Sequence, residues 1–241
     1  MLLTRRKRLA REMSHYRTSD VSTRLKTSFV GGSILTRWGK RQTPGIDYLS
    51  GSALIIFDQR WYQEIEAITR AEKHLLTKTR QELEPAARDG RVIIAIDTCE
   101  NNRVVGCIVL WELDHDDQGR MWYELGTFVV VSDHRYKARG SKAMPIGDVL
   151  YRKLLHTHRE KNILGTTTNL HAIHTGLRHG MQMIGFQELP LRVHRSTCIC
   201  PIEKTRVLDN LSCQIKNQSC RVRVSFHTWI RMGYPKRLPT P

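Results

Sequence analysis

Residues 121–155 limit what this chain can fold into more than any other stretch. They open with MWYELGTFVVV at 121–131, an apolar run of strand character. A polar loop with Arg135, Lys137, Arg139 and Lys142, and with Gly140 and Gly147, fills 132–147. A helix-like segment, DVLYRKLL, follows at 148–155. A strand, a basic loop and a helix in that order make an anion site, because the loop's backbone N–H groups and the helix N-terminus face the same point. The rest of the chain reads as support for this unit.

Upstream, residues 1–50 show no sustained periodicity, and Gly31-Gly32 and Pro44-Gly45 mark loop or disorder. Residues 52–57 form a short apolar run, read as the first strand. Asp58 is placed to cap a helix, in which Trp61, Ile65, Ile68 and Leu75 fall near one face. A second helical piece around 79–83 is expected to stop at Pro85. From Arg91 the period changes. Residues 92–96 and 103–111 read as strands around a Glu100-Asn101-Asn102 turn, hence a hairpin. Asp114, His115, Asp116 and Asp117 read as an acidic hairpin tip in solvent rather than as metal ligands. After a helix ending near His158, residues 162–168 read as strand and 169–180 as helix closed by Gly180. Strands are expected again at 183–193 and 220–229. The sum is an α/β fold with a mixed, mostly antiparallel central sheet flanked by helices. The expected division is a basic tail at 1–50, a folded part at 51–233 that includes a Cys-rich insertion at 194–220, and a short tail at 234–241.

The net charge of +16 is unevenly spread. Residues 1–45 hold eleven Lys and Arg against Glu12 and Asp20. Such a tail favours RNA, DNA or an anionic membrane surface, so nucleic acid or ribosome contact through residues 1–45 is one reading and a solubilising arm is the other. No run approaches the ~20 apolar residues of a membrane span. The basic cluster Arg5-Arg6-Lys7-Arg8 has no apolar stretch behind it, which argues against secretion. An Arg-rich, acid-poor start also fits a mitochondrial transit peptide. Six cysteines in 241 residues do not make a secreted disulfide scaffold; a cytoplasmic setting is the default expectation.

The joint order of elements resembles the GNAT acetyltransferase superfamily over about residues 52–230. The residues that carry it are VVGCIV at 104–109, the 121–155 unit, the helix at 169–179 and Ile184-Gly185-Phe186 after it. The resemblance implies transfer of an acetyl group from acetyl-CoA to an amine acceptor by direct attack. It also implies that the pyrophosphate lies on the loop and helix start, at Arg139, Gly140, Ser141, Lys142, Ile146 and Gly147, with Arg135 adding charge. The pantetheine arm would pair with backbone at Phe128, Val129, Val130 and Val131, extending the sheet. Where the family has a basic residue, two others, then Gly-x-Gly or Gly-x-Ala, this chain has Lys142-Ala-Met-Pro145-Ile-Gly147. Proline lacks the N–H a phosphate needs, but it suits the first position of a helix.

Catalysis requires a neutral amine, so a carboxylate must take a proton. Glu124 sits inside an apolar strand, in register with Trp122, Gly126, Phe128 and Val130. It either faces a cleft, as the family's strand-borne glutamate base does, or lies on the solvent face. Glu112 is the second candidate. The family's tyrosine acid would fall at Met181, four residues before Gly185. His171 and His174 are the nearby substitutes, or else ordinary surface or core histidines. A non-catalytic GNAT-fold module that contacts nucleic acid or ribosomes is the competing reading of the whole chain.

Cys198, Cys200, Cys213 and Cys220 fall within or at the edge of the insertion. Four thiolates can close a tetrahedral zinc site and order a segment with few apolar residues. Disulfides and four unrelated thiols are the other readings. Cys99 and Cys107 read as small core residues.

Overall fold

The computed structural model describes residues 45–235 apart from 52, 55–59, 73–74, 76, 136–143, 198–211 and 214–217. Along the chain come β1 (Ile46–Ser50), α1 (Trp61–Arg70), α2 (Arg80–Arg88), β2 (Val92–Asp97), β3 (Arg103–His115) and β4 (Met121–Val130). A 3-10 turn at Ser132–His134 leads toward α3 (Ile146–Thr157), β5 (Asn162–Thr167) and α4 (Leu170–Arg178). Then follow β6 (Gln182–Ile184), α5 (Leu191–Ser196), β7 (Ser212–Cys213), β8 (Gln218–Ser219), β9 (Arg221–Val224) and α6 (Phe226–Arg231). Seven strands form one sheet in the order β1-β2-β3-β4-β5-β9-β6, while β7 and β8 pair only with each other. Neighbours are antiparallel except β4 and β5. This is the mixed, mostly antiparallel sheet the sequence implied.

Local chemistry sets the hairpins. Asn101 and Asn102 both adopt positive φ, 53° and 57°, as the central residues of a turn closed by Arg103 N–H to Glu100 O at 3.0 Å within the 98–102 connection, a conformation asparagine tolerates. The tip between β3 and β4 is a turn with His115, Asp117, Gln118 and Gly119 exposed, as expected, but one of its acids departs from that reading. Asp116 is buried. Its carboxylate accepts from Gln118 N–H at 3.0 Å, Arg120 N–H at 2.9 Å, Arg120 Nε at 2.8 Å and Trp122 Nε1 at 3.1 Å. Burial alone would raise its pKa, but these donors outweigh it and hold the carboxyl below its ordinary range.

The two sheet faces are covered differently. Alternation along β2 sends Val92, Ile94 and Ile96 toward Trp61, Tyr62 and Ile65 of α1 and Leu83, Ala86 and Ala87 of α2. Ile93 and Ala95 go the other way, toward Ile146, Val149, Leu150 and Leu154 of α3. A third apolar group gathers Trp122, Leu164, Ile184, Phe186, Val193, Val222, Val224 and Trp229 at the β5–β9–β6 end. Among the described residues no helix is long and apolar enough to cross a membrane.

Several boundaries differ from the sequence reading. The first strand is Ile46–Ser50, inside the stretch read as loop, while Ala53 and Leu54 of the expected strand are helical, as is Gly51 before it. Helix α1 starts after Arg60; Asp58, the expected cap, lies outside the described residues. Helix α2 runs through Pro85. Proline removes one helix hydrogen bond, but Leu83, Ala86 and Ala87 are buried on either side of it and hold the helix to the sheet. The strand expected at 183–193 ends at Ile184, and Pro190 opens α5. The last strand ends at Val224. Ser225 then caps α6, its Oγ accepting from the Thr228 N–H at 3.2 Å.

Candidate active site

The site is built around an irregularity in β4. Its register against β3 slips by one residue between the Cys107↔Val129 and Val109↔Gly126 pairs. The extra residue is a β-bulge, and Thr127 within it has φ 47°. A β-branched residue is costly there, on the order of 1–3 kcal/mol. Two contacts hold it: Trp111 Nε1 donates to Thr127 Oγ1 at 3.0 Å, and Cys107 Sγ donates to Thr127 O at 3.3 Å. The bulge reverses the alternation the sequence implied. Phe128 and Val130 do not share a face with Glu124. They pack with Leu125 on the α3 side, whereas Val129 packs on the α1–α2 side with Trp111.

Glu124 pairs with Trp111 across β3–β4 and with Leu164 across β4–β5. Its carboxylate is half-buried and accepts a short hydrogen bond from Thr166 Oγ1 on β5. Burial pushes its pKa from the ordinary 4.5 up to about 7; the Thr166 hydrogen bonds and the Lys78 charge pull the other way and lose. Lys78 lies just before α2, with its Nζ 4.6 Å from the centroid of the Trp111 ring. Gly126 makes room for that ring, since a Cβ there would stand 2.9 Å from Trp111 Cδ1. Trp111, Gly126, Glu124, Thr166 and Lys78 thus come together from β3, β4, β5 and the approach to α2.

Beside this group the sheet opens. The pairs between β4 and β5 run from Trp122↔Asn162 to Glu124↔Leu164, and no described pair extends beyond them. From Leu125 to Val130 the β5-facing edge of β4 has no strand partner among the described residues. Arg135 closes part of it: its Nε donates to Val130 O at 2.8 Å, and its guanidinium pairs with Glu72. Helix α3 starts next to this edge. Pro145 is its N-cap residue, Ile146 is buried, and Gly147 admits Phe128, whose Cζ would lie 3.0 Å from a Cβ at 147. The N–H groups of the first helical turn have no partner within the helix. Asp148, a potential repeller of phosphate, is turned to α4 and neutralised: Arg178 Nη2 and His179 Nε2 each lie 2.8 Å from its Oδ1. Burial would raise that carboxyl, but His179 and Arg178 hold it below its usual range.

Other expected site residues fall elsewhere. Glu112 pairs with Tyr123, so it lies on the opposite face of the sheet from Glu124, where Arg91 Nη2 is 3.2 Å from its Oε1. His171 and His174 are exposed on α4. Met181, at the position of the family's tyrosine, is buried in the α3-side core. Val131 packs against that core too. Arg139, Gly140, Ser141, Lys142, Cys198 and Cys200 lie outside the described residues. Cys213 lies in β7, and Cys220 is half-buried against the third apolar group. Thr166, Trp111, Thr127 and Lys78 were not singled out in the sequence. Only the long-range pairing of β3, β4 and β5 brings them to Glu124, so no local signal marks them.

No family model and no curated protein sequence matches the chain. Solved structures do match by fold. A chain of the NatC complex bound to Gag peptide and CoA superposes with TM-score 0.51 at 15% identity, over 75% of this chain and 97% of that one. A GNAT-family acetyltransferase of Staphylococcus aureus gives 0.46 at 16% identity, covering 75% and 98%. Arabidopsis thaliana NAA60 in complex with a bisubstrate analogue gives 0.47 at 11%, covering 74% and 96%. The chain has the GNAT acetyltransferase fold.

Proposed function

We propose that the protein is an acetyl-CoA-dependent N-acetyltransferase in which Glu124 is the general base. The observation that carries the reading is Glu124 itself, a half-buried carboxylate beside the parted edge of β4 with its pKa near 7. A base is most effective when its pKa lies near the working pH. The residues fit the cosubstrate. The edge of β4 from Leu125 to Val129, with Val130 O taken by Arg135, suits the amide groups of a pantetheine arm, and the first turn of α3, with Asp148 neutralised, suits its pyrophosphate. Acetyl-CoA supplies the acetyl group as an activated thioester. As the amine nitrogen bonds to the thioester carbonyl carbon, the C–S bond breaks and coenzyme A leaves as a thiolate that takes a proton from solvent; Glu124 accepts the proton that the amine sheds, and Thr166 orients the carboxylate. Trp111 and Lys78 border the acceptor side. The setting is taken as cytoplasmic.

Two observations favour the competing binding module: Met181 stands where the family's acid would be, and Arg135 is already paired with Glu72. That reading would give residues 1–45 a role on nucleic acid or ribosomes. Calorimetric titration with acetyl-CoA separates the two. Saturable micromolar binding, followed by acetylation of an amine in a panel of peptides and polyamines, is the expected outcome. Folded protein that binds no acetyl-CoA would overturn the enzyme reading.

A further inference from the structure

The turn from β2 to β3 meets the 3-10 turn after β4 at a group of side chains that plays no part in acetyl transfer as proposed above. Asp97 ends β2, Glu100 lies in the turn, and His134 ends the 3-10 turn. One donor atom from each lies within 4.8 Å of the others. His134 Nε2 is 3.1 Å from Asp97 Oδ2 and 3.9 Å from Glu100 Oε1. Asp97 is 0% exposed and His134 3%, so both side chains are fixed in the interior, while Glu100 faces solvent.

The remaining atoms of these residues anchor them. Asp97 Oδ1 accepts from the Cys99 N–H at 2.8 Å. Glu100 Oε2 accepts from Arg103 Nη1 at 3.1 Å, and the same Nη1 lies 3.7 Å from Asp133 Oδ2. His134 Nδ1 is buried and makes no aligned hydrogen bond, although Asp133 Oδ1 is 3.1 Å away. Three carboxylates therefore surround one buried imidazole, and Arg103 is a cation facing two of them. Bonds of about 2.0–2.2 Å from a metal to nitrogen and oxygen place adjacent donors about 3–3.5 Å apart. His134 Nε2 and Asp97 Oδ2 share a hydrogen bond of 3.1 Å, a spacing in that range that an ion replacing the shared proton would keep, and Glu100 reaches in from a solvent-facing turn.

We propose that Asp97, Glu100 and His134 bind a divalent transition-metal ion of the zinc class, with solvent completing the coordination. One imidazole nitrogen with two carboxylates suits such an ion better than calcium or magnesium, which take oxygen ligands. Asp133 stands where a second carboxylate orients a metal-bound imidazole. The ion ties the β2–β3 turn to the connection that leads into α3.

Cobalt(II) is the probe, since it replaces zinc and absorbs visible light. The full-length protein is titrated with cobalt(II), then back-titrated with zinc. The expected result is a saturable ligand-field signal that zinc displaces, that Glu100→Gln weakens at least tenfold in Kd, and that His134→Gln abolishes. The wild type minus Glu100→Gln difference isolates this site from any thiolate site, whose charge-transfer bands Glu100→Gln leaves unchanged. If His134→Gln does not fold, Glu100→Gln decides alone, because its side chain lies in an exposed turn. No saturable signal, or a Kd within twofold of wild type in Glu100→Gln, overturns the proposal.

Discussion

Replacing Glu124 with glutamine tests the site through both stability and rate. The folded protein holds a proton on Glu124 up to about pH 7, whereas the ordinary carboxyl releases it near 4.5. Between those values the native state binds more protons than the unfolded state, so stability falls as pH rises from 4.5 to 7 and is level above. At about 1.4 kcal/mol per pH unit that window is worth about 3 kcal/mol, and the partial exposure of Glu124 lowers it to about 2 kcal/mol. Glutamine carries no charge to desolvate. Relative to wild type, Glu124→Gln should therefore gain about 2 kcal/mol between pH 4.5 and pH 8, or about 4–8 °C in Tm for a chain of this size. Urea unfolding of both proteins at the two pH values measures the gain. Turnover of an accepted amine should fall by about 100-fold or more, while acetyl-CoA affinity stays within twofold. A stability difference that does not change with pH would refute the account of Glu124 as a carboxyl raised by burial. Unchanged turnover would remove it as the base.

Three further perturbations follow from the same geometry. Thr166→Val removes a hydrogen bond that favours ionised Glu124, so the pH–rate profile should keep its rising shape and move its midpoint upward; an unmoved midpoint would show that Thr166 does not act on the carboxylate. Gly126→Ala places a Cβ 2.9 Å from Trp111 Cδ1 and should cost about 1–3 kcal/mol of stability and raise KM for the amine, as read by unfolding and steady-state kinetics; wild-type values for both would mean the Trp111 ring is not fixed by Gly126. Asp116→Ala strips four donors of their buried acceptor and should cost about 2–4 kcal/mol. Because the Asp116 carboxyl sits below its ordinary 3.8, the wild-type advantage should be full above that value and fade as pH falls from it through the lowered folded value; a loss independent of pH would point to packing alone.

The parts of the fold that sequence reading reached are those whose signal is local. The continuous apolar runs at 92–96 and 104–111, the Asn101-Asn102 turn and the Asn169 and Gly180 ends of α4 each rest on residues near one another in the chain. Ile46–Ser50 was missed because five residues next to an aperiodic stretch become a strand only by pairing with β2. Ser225 did carry a local signal, as a helix cap, but the alternation of Arg221, Val222, Arg223 and Val224 masked it. At the site, Glu124 was legible as a carboxylate in an apolar run. Its neighbours were not: Thr166 reaches it through a pairing 42 residues away, and the bulge at Thr127 is set by Trp111 and Cys107 on the adjacent strand. Strict alternation therefore put Phe128 and Val130 on the wrong face.

The strand order also fixes when the sheet can be finished during synthesis. Strands β1 to β4 are neighbours in sequence and in space, so that half, with α3 to cover it, is complete by Thr157. The other half is not. Strand β9 lies between β5 and β6 and is made after both. Until Val224 has been translated, β5 and β6 each present an open edge, for a few seconds at about 5–20 residues per second. Open edges recruit other strands. A ribosome stalled before Arg221 thus releases a chain with a finished front half and two exposed seams, a ready client for a chaperone and a poor candidate for an isolated fragment.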